Sequence, residues 1–334
     1  MVAVDRPSLT NKLVSFEAGG EIIGVRFVRE SAAFATGTGE ILIAGDSEAR
    51  IKAHKGAILA VTGDGERIFT AGDDGRIVAV DIEGEQETLV ELGNKWIDNL
   101  ALGPDGALAW SVGKTAFVRG KKSGKTSERS LDAVSTVGGL AFAPKGFRLA
   151  IAHYNGATLW FPNADASPEK FEWKGSHLGV MFSPDGRFLI TTMQEPALHG
   201  WRLADGQHMR MSGYPSRVRS LSFSADEKWL ATSGAQEAIL WPFATRDGPM
   251  GKEPMIIAPG VKNEKVTAVA CHPKQAMLAA GYGDGMVLLV RLADAAEVLA
   301  RRPDGSPVTA LAWRDDGKLL ALGTEGGSAA LLPL

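Results

Sequence analysis

Apolar and polar residues alternate along this chain in short runs, and a unit of this pattern returns roughly every 40 residues. The clearest copy spans residues 177–211, where Val180, Leu189 and Trp201 lie in three separate runs. Ser-Pro-Asp-Gly and Gln-Glu-Pro segments separate these runs, and a fourth run follows the Ala-Asp-Gly segment at 204–206. Each copy therefore predicts a four-stranded antiparallel sheet, which needs neighbouring sheets to bury both of its faces.

Two alignments of the repeats give the same count. The residues that end the first strand are Phe27, Val61, Leu102, Phe142, Phe182, Phe223, Cys271 and Trp313. The residues that end the third strand are Ala44, Val80, Val118, Trp160, Trp201, Trp241, Val290 and Leu332. Both sets have eight members, so we predict an all-β, eight-bladed β-propeller of four-stranded antiparallel blades, with seven blades as the alternative.

The two ends of the chain complement each other in this pattern. The last repeat stops at Leu334, just after its third strand, while an additional strand at 13–18 precedes the first repeat. We expect the N-terminal strand to complete the last sheet and to close the ring, which leaves no free sheet edge there. Residues 1–10 are predicted to be a loose lead-in, and residues 11–334 a single propeller domain.

Composition and charge narrow the function. The 334 residues carry a net charge of -3, so there is no excess of positive charge to neutralise nucleic-acid phosphates. No basic segment followed by an apolar core opens the chain, and no apolar run is long enough for a membrane span. We expect a soluble, cytoplasmic, monomeric protein without nucleic-acid or membrane partners. The single cysteine, Cys271, excludes an internal disulfide and a cysteine-rich metal site.

The sequence contains no pattern typical of an enzyme or a metal site. The histidines are His54, His153, His177, His199, His208 and His272, and no two combine metal-ligand spacing with a nearby carboxylate. The basic segment 119–126 contains Gly-Lys-Thr but lacks the full phosphate-loop spacing, so it is predicted to be a solvated hairpin tip. We therefore expect no catalytic residue, cofactor or metal. The alternative is a propeller enzyme, or a small-ligand or metal-binding protein, that uses the central channel.

The second repeat carries the features that indicate a family. It contains His54, then Phe69-Thr-Ala-Gly-Asp-Asp-Gly, then Val80-Asp81. These features, with the Ser-Pro-Asp-Gly turn at 183–186 and its variants in other repeats, resemble the WD40 repeat family over essentially the whole chain from residue 13 to 334. The resemblance implies a hydrogen-bonded tetrad of His, Ser or Thr, Asp and Trp in each blade. His54, Thr70 and Asp74 match it, Val80 takes the tryptophan position, and Trp160, Trp201 and Trp241 keep that position in other repeats.

The resemblance also implies a function, because members of the family commonly bind partners at the rim where the first strands begin and the second and third strands join. On this chain that rim is predicted to contain Lys95, Trp96, Tyr154, Asn155, His177, Gln194, Tyr214, Arg217, Arg219, Gln236, Lys265 and Tyr282. Aromatic and arginine side chains dominate binding hot spots, and two arginines on one strand face suit an acidic peptide or carboxylate. We expect a non-enzymatic protein-interaction platform, a scaffold or adaptor.

Overall fold

The computed structural model of the protein describes residues 7–122, 124–259 and 264–334. Apart from two single 3₁₀ turns at Thr10–Lys12 and Pro104–Gly106, the regular structure of these residues is entirely β-strand. The all-β prediction is therefore confirmed. The strands belong to two compact units: Met1–Lys52 with Arg219–Leu334, which we call the split unit, and Ala53–Val218, which we call the central unit. No helix in the described part of the chain is long and apolar enough to cross a membrane.

The N-terminal part of the split unit contains one separate strand and one complete sheet. Its strands are β1 (Val14–Glu17), β2 (Ile22–Val28), β3 (Ser31–Thr36), β4 (Glu40–Ala44) and β5 (Glu48–Lys52). β2 to β5 form an antiparallel meander in chain order. The two middle strands are buried almost throughout, whereas the outer strand β5 exposes Glu48, Arg50 and Lys52. Charged side chains on an outer strand discourage pairing with other chains.

The central unit contains fourteen strands. They are β6 (Ile58–Gly63), β7 (Arg67–Gly72), β8 (Arg76–Asp81), β9 (Gln86–Glu91), β10 (Asn99–Leu102), β11 (Leu108–Val112), β12 (Thr115–Lys122), β13 (Lys125–Asp132), β14 (Gly139–Phe142), β15 (Leu149–Trp160), β16 (Glu169–Phe182), β17 (Phe188–Met193), β18 (Leu198–Arg202) and β19 (His208–Met211). β6 to β9 form one four-stranded meander and β10 to β13 another. β12 and β13 pair up to Lys122 and Lys125, so the basic segment is a hairpin tip, and its Ser123 lies outside the described residues.

β14 to β19 form one six-stranded sheet where the sequence predicts two four-stranded blades. Two long strands cause the difference. β15 contains the second and third predicted strands of the fourth repeat, and β16 joins its fourth strand to the first strand of the fifth repeat. Asn155 (φ 68°) and Gly175 (φ 127°) bend the chain inside these strands, and Tyr154 pairs with Ser176 across the bends. The sheet therefore continues through residues that the sequence assigns to turns.

The C-terminal part of the split unit completes the architecture. Its strands are β20 (Leu221–Phe223), β21 (Trp229–Thr232), β22 (Ala238–Pro242), β23 (Met255–Ile257), β24 (Val266–Cys271), β25 (Met277–Tyr282), β26 (Val287–Arg291), β27 (Glu297–Arg301), β28 (Val308–Trp313), β29 (Leu319–Thr324) and β30 (Ser328–Pro333). β20 to β23 and β24 to β27 are meanders, and β28 to β30 take β1 as their fourth strand. Val14 pairs with Leu331, so the N-terminal strand completes the last sheet, as the sequence predicts.

The described residues thus form seven hydrogen-bonded sheets, six with four strands and one with six. This number matches the alternative of seven, and the main prediction of eight blades is wrong. The physical reason is the pairing of Tyr154 with Ser176, which links the fourth and fifth repeats through hydrogen bonds.

The described part of the predicted lead-in, residues 7–10, is more ordered than the sequence predicts. Residues 1–6 lie outside the described residues. The amide of Leu9 donates to the carbonyl of Leu299 at 2.8 Å, and the amide of Leu299 donates to the carbonyl of Pro7 at 2.8 Å. Ser8 and Leu299 form a parallel bridge. Residues 7–9 are therefore not loose but add to the outer edge of β27.

Candidate functional site in the central unit

Three large apolar side chains of the central unit are exposed to solvent. Trp96 is 66% exposed, Val134 65% and Tyr154 53%. The other large apolar side chains that are exposed in the described part of the chain, Val14, Ile256 and Leu334, all belong to the split unit. Since a monomeric protein rarely gathers exposed apolar groups without a reason, the surroundings of the first three residues define the candidate site.

The loop that carries Trp96 is held by its backbone. The amide of Leu92 donates to the carbonyl of Gly75 at 2.9 Å, and the amide of Ile97 donates to the carbonyl of Gly72 at 3.2 Å. Ile97 is fully buried next to the exposed Trp96. An additional methyl group at Gly75 would lie 1.8 Å from the carbonyl oxygen of Gly93, so this close approach requires glycine. The loop therefore presents Trp96 to solvent from a fixed backbone.

Tyr154 lies at the bend of β15, and hydrogen bonds fix that bend too. Its amide donates to the hydroxyl of Ser135 at 2.8 Å, which ties the bend to the segment that carries Val134. The side-chain carbonyl of Asn155 accepts a hydrogen bond from the amide of Gly175 at 3.2 Å. A Cβ atom at Gly156 would lie 2.1 Å from the carbonyl oxygen of Phe171, so the two bends can approach each other only because this residue is glycine.

Two depressions meet at Tyr154. One has a volume of 770 Å³, and its lining includes Val134, Tyr154, Trp173 and the charged residues Lys170, Glu172 and Lys174. The other has a volume of 430 Å³, and its lining includes Asp98, Asn99, Ser135, Tyr154 and Ser176. The exposed Trp96 is two residues from Asp98 in the chain. We call this surface, with Trp96, Asp98, Val134, Ser135, Tyr154 and Lys174, the Tyr154 face.

Exposed charged side chains of both signs surround the Tyr154 face. Lys95, Lys170 and Lys174 are exposed there, and the carbonyl of the exposed Lys114 accepts a hydrogen bond from Ala133, the residue before Val134. The exposed acidic residues there include Asp98, Glu172 and Glu195, whose carboxylate approaches Gly175. Positive charge beside aromatic side chains favours a partner segment that carries carboxylates.

Other predicted rim residues of the central unit form a separate contact or are buried. The guanidinium of Arg217 donates to the side-chain carbonyl of Gln194 at 3.0 Å. His177 is buried: its Nδ1 lies 2.7 Å from Oγ1 of Thr191, and its Nε2 lies 2.9 Å from the carbonyl oxygen of Trp173. Burial lowers the pKa of His177. Tyr214 is also buried. His177 and Tyr214 are therefore corrections to the predicted contact set, because neither presents its ring to solvent.

The remaining predicted rim residues belong to the split unit. Arg219, Gln236 and Lys265 are exposed. Tyr282 is fully buried, and its hydroxyl donates to the carbonyl of Ala258 at 2.7 Å. Its prediction as a contact residue is wrong, because this hydroxyl has a partner inside the protein. The aromatic part of the predicted rim thus reduces to Trp96 and Tyr154.

The second repeat contains the polar cluster that the family resemblance implies. Nδ1 of His54 lies 2.9 Å from Oδ1 of Asp74, and its Nε2 lies 2.9 Å from Oγ1 of Thr70. Burial acts to raise the pKa of Asp74, but hydrogen bonds from His54 and from the amides of Lys55 and Arg76 outweigh it and hold the pKa below its ordinary value. Val80, at the tryptophan position, is fully buried, and Trp160, Trp201 and Trp241 are buried in the other repeats.

Sequence reasoning missed Val134, Ser135 and Trp173. Trp173 lines the larger depression and stacks on His199 with ring centroids 4.0 Å apart. One signal was available in the sequence: Lys170, Glu172 and Lys174 alternate with Phe171 and Trp173, which is typical of a half-exposed strand. Val134 and Ser135 stand in an irregular segment, where no periodicity predicts exposure.

The described residues contain no group of three or more His, Cys, Asp or Glu side chains that could hold a metal ion. Cys271 is buried, and burial raises the pKa of its thiol to about 12, which keeps the thiol protonated at neutral pH. The Tyr154 face thus offers aromatic contact area, hydrogen-bonding groups and positive charge.

Comparisons with known proteins define the class. The fold is similar to the crystal structure of the computationally designed Ika8 protein over 95% of this chain and 98% of that one, with a TM-score of 0.74 and 17% sequence identity. Family matches cover individual repeats: WD domain, G-beta repeat at residues 45–79 and 207–241, and anaphase-promoting complex subunit 4 WD40 domain at residues 272–333. The class is a repeat protein of β-sheet meanders. These matches support the WD40 repeat family, which the sequence resembles.

Three curated relatives match parts of the chain. Protein groucho of Drosophila melanogaster is 26% identical over 192 residues, which cover 55% of this chain and 26% of groucho. WD repeat-containing protein 55 of Rattus norvegicus is 27% identical over 201 residues, 58% of this chain and 50% of the relative. WD repeat-containing protein 90 of Homo sapiens is 29% identical over 136 residues, which cover 38% of this chain and 7% of the relative. The chain spans half or less of the length of each of these relatives.

Proposed function

We propose that the protein is a non-enzymatic interaction platform, a scaffold or adaptor, and that its central unit binds a partner protein at the Tyr154 face. The observation that carries this proposal is the placement of Trp96, Val134 and Tyr154. Val134 and Tyr154 line two adjoining depressions in the central unit, and the exposed Trp96 is two residues from Asp98, which lines one of them. The matches to WD40 repeat models support the same class of function.

The chemistry of the face supports a protein segment with an apolar anchor and acidic residues. Tryptophan and tyrosine provide large contact areas and lose little side-chain entropy on binding. The backbones behind Trp96 and Tyr154 are fixed by hydrogen bonds before any partner arrives, which lowers the ordering cost. Lys95 and Lys174 then provide positive charge close to the two aromatic rings. An acidic segment gains from this charge, whereas a basic segment is repelled.

The test compares two triple variants of the full chain. Trp96→Ser, Val134→Ser and Tyr154→Ser remove the apolar groups of the Tyr154 face. Val14→Ser, Ile256→Ser and Leu334→Ser remove the same number of exposed apolar groups from the split unit and serve as the control. A partner is captured with the wild-type chain, purified and titrated against all three proteins by calorimetry. We expect the first variant to weaken binding at least tenfold and the control to leave it unchanged.

Two further readouts keep the test decisive. Thermal unfolding of both variants should match the wild type, because all six side chains are exposed. Sedimentation of the wild type should give a monomer. If the wild type is instead a dimer, and only the first variant abolishes the dimer, the Tyr154 face binds a second copy of the chain. Binding that the split-unit control weakens, and the first variant does not, would overturn the proposal.

A further inference from the structure

The outer edge of β16 is an unpartnered strand edge beside the Tyr154 face. Residues 169–172 pair with β15 on one side, and β17 pairs with β16 only from His177 onward. On their other side, residues 169–174 have no strand partner within the described part of the chain. The larger depression is lined by all five consecutive residues from Lys170 to Lys174 and by Tyr154 and Asn155 of the paired strand β15. Its 770 Å³ falls in the usual range for binding clefts.

The fold itself shows that an outer edge of this kind accepts an extended segment. Residues 7–9 lie along β27, the outer strand of another sheet, and exchange two backbone hydrogen bonds of 2.8 Å with Leu299. In that case the added segment comes from the same chain. No described segment of the chain covers the edge of β16 in the same way.

Side chains on one face of β16 pack in the core and hold the strand rigid, which favours pairing at its outer edge. Phe171 is buried, with its ring centroid 5.9 Å from that of Trp201. Trp173 stacks on His199, and the carbonyl oxygen of Trp173 is bonded to the ring of His177. Alternate residues therefore anchor the strand in the core, while Lys170, Glu172 and Lys174 are exposed.

The exposed charges specify the occupant. Along one side of the strand they read positive, negative, positive at positions 170, 172 and 174. A second copy paired antiparallel about Glu172 would place Lys170 opposite Lys174 of that copy and Glu172 opposite its counterpart. Like charges that face each other across a sheet are destabilising, so this edge disfavours self-pairing. A strand with acidic, basic and acidic residues at alternate positions complements all three charges in either direction.

We propose that the partner segment binds as an added β-strand along residues 169–174, with an acid–base–acid pattern at alternate positions that pairs with Lys170, Glu172 and Lys174. This inference rests on the proposed function, since it names the segment that the Tyr154 face receives. Val134 and Tyr154 line the same depression as residues 170–174 and are proposed to contact the apolar side chains of the partner. Backbone hydrogen bonds give the affinity, and the charges give the selectivity.

A charge exchange tests the pattern. The probes are the peptides Ser-Glu-Val-Lys-Val-Glu-Ser and Ser-Lys-Val-Glu-Val-Lys-Ser, with capped ends, titrated against the wild-type chain and against a Lys170→Glu, Glu172→Lys, Lys174→Glu variant. We expect the wild type to prefer the first peptide about tenfold and the variant to prefer the second by a similar factor. The variant should fold normally because all three side chains are exposed. A preference that does not reverse would overturn the proposal.

Two modified peptides separate strand addition from simple attraction between charges. A peptide with the composition of the first one in the order Ser-Glu-Glu-Val-Val-Lys-Ser keeps the net charge and loses the pattern, so it should bind about tenfold more weakly. N-methylation of alternate amides in the first peptide removes the donors of one strand edge. Two such peptides are made, one methylated at the odd-numbered amides and one at the even-numbered amides. The peptide whose methyl groups face β16 should lose binding, and the other should retain it. Equal binding by all of these peptides would contradict strand addition.

The outcome for the native partner distinguishes this inference from the proposed function. The serine variant of Trp96, Val134 and Tyr154 could lose the partner while the charge-exchange variant keeps it. This result would support the Tyr154 face as the docking site and overturn strand addition. If neither variant weakened the partner, both proposals would fail. Weakening by both variants, with reversed selectivity for the peptides, is the expected result.

Discussion

The second and fifth repeats of the central unit place a histidine and a threonine in the same relation, yet they complete the arrangement differently. In the second repeat, Nε2 of His54 lies 2.9 Å from Oγ1 of Thr70, and Asp74 binds the other ring nitrogen. In the fifth repeat, Nδ1 of His177 lies 2.7 Å from Oγ1 of Thr191, and a backbone carbonyl takes the place of the carboxylate. The same strand geometry therefore tolerates a charged or a neutral partner for its histidine.

The third strands of these two repeats differ more. The threonine hydroxyls approach the carbonyl oxygens of Val78 and His199, which identifies these residues as equivalent. Val78 and His199 are both fully buried. Neither ring nitrogen of His199 has a hydrogen-bond partner among the described residues, and the ring centroids of Trp173 and Trp201 lie 4.0 and 4.8 Å from that of His199. The comparison teaches that the second repeat is stabilised by a satisfied polar cluster, and the fifth by aromatic packing at the cost of an unsatisfied imidazole.

The largest expected effect comes from removing the aromatic packing. Trp201→Val gives the fifth repeat the residue that the second has at this position, Val80. Trp201 is buried beside Phe171, His177 and His199, so the substitution opens a cavity and should lower the free energy of unfolding by about 3 kcal/mol. Chemical denaturation followed by circular dichroism measures this change. Val80→Ala, a smaller deletion at the equivalent position, is the control and should cost less.

The next effect concerns the polar cluster. Asp74→Ala removes the partner of His54 and of the amides of Lys55 and Arg76, and it leaves a buried ring nitrogen without a partner. We expect the free energy of unfolding at pH 7 to fall by about 2 kcal/mol. The loss should shrink toward pH 3: the pKa of Asp74 is depressed in the folded protein, so its contribution is complete above the ordinary carboxyl pKa and disappears as pH falls. Asp165→Ala, at an exposed position, should change nothing, and an equal loss there would refute this account.

The sequence predicts most of these features, because strand positions and turns follow from local alternation and turn residues. The strand ends near Trp201 and Val80, the pairing of β1 with β30, and the cluster around His54 all agree with the structure. What the sequence does not predict depends on contacts between distant segments. Tyr154 and Tyr282 both end a predicted second strand, but only Tyr282 meets a carbonyl from another loop, at Ala258, and is buried. The approach of Tyr154 to Ser176, which merges two repeats, is likewise invisible in local pattern.

The smallest expected effect sharpens the comparison through pH. Burial, followed by the charges of His208, His177 and Arg210, lowers the pKa of His199 to about 3. Because this pKa is below the unfolded value of roughly 6.5, the unfolded chain takes up more protons as pH falls, and the protein loses stability. From pH 7 to pH 5.5, His199 alone should lower the free energy of unfolding by about 1 kcal/mol. His199→Val should reduce the fall in unfolding free energy between pH 7 and pH 5.5 by about 1 kcal/mol, as measured by urea denaturation at several pH values.

The reciprocal variant, Val78→His, makes the comparison symmetrical. It inserts an imidazole into a fully buried position that valine occupies in the second repeat, so it should destabilise the protein at pH 7 and steepen the decline toward pH 5.5. Measurements above pH 5 limit the contribution of carboxyl groups. If neither variant changes the slope of unfolding free energy against pH, the proton uptake belongs to other buried histidines. His177 and His272 are examples, because burial also lowers their pKa values. A shallower slope in His199→Val and a steeper slope in Val78→His would show that the acid sensitivity comes from the residue at this position, which differs between the two repeats.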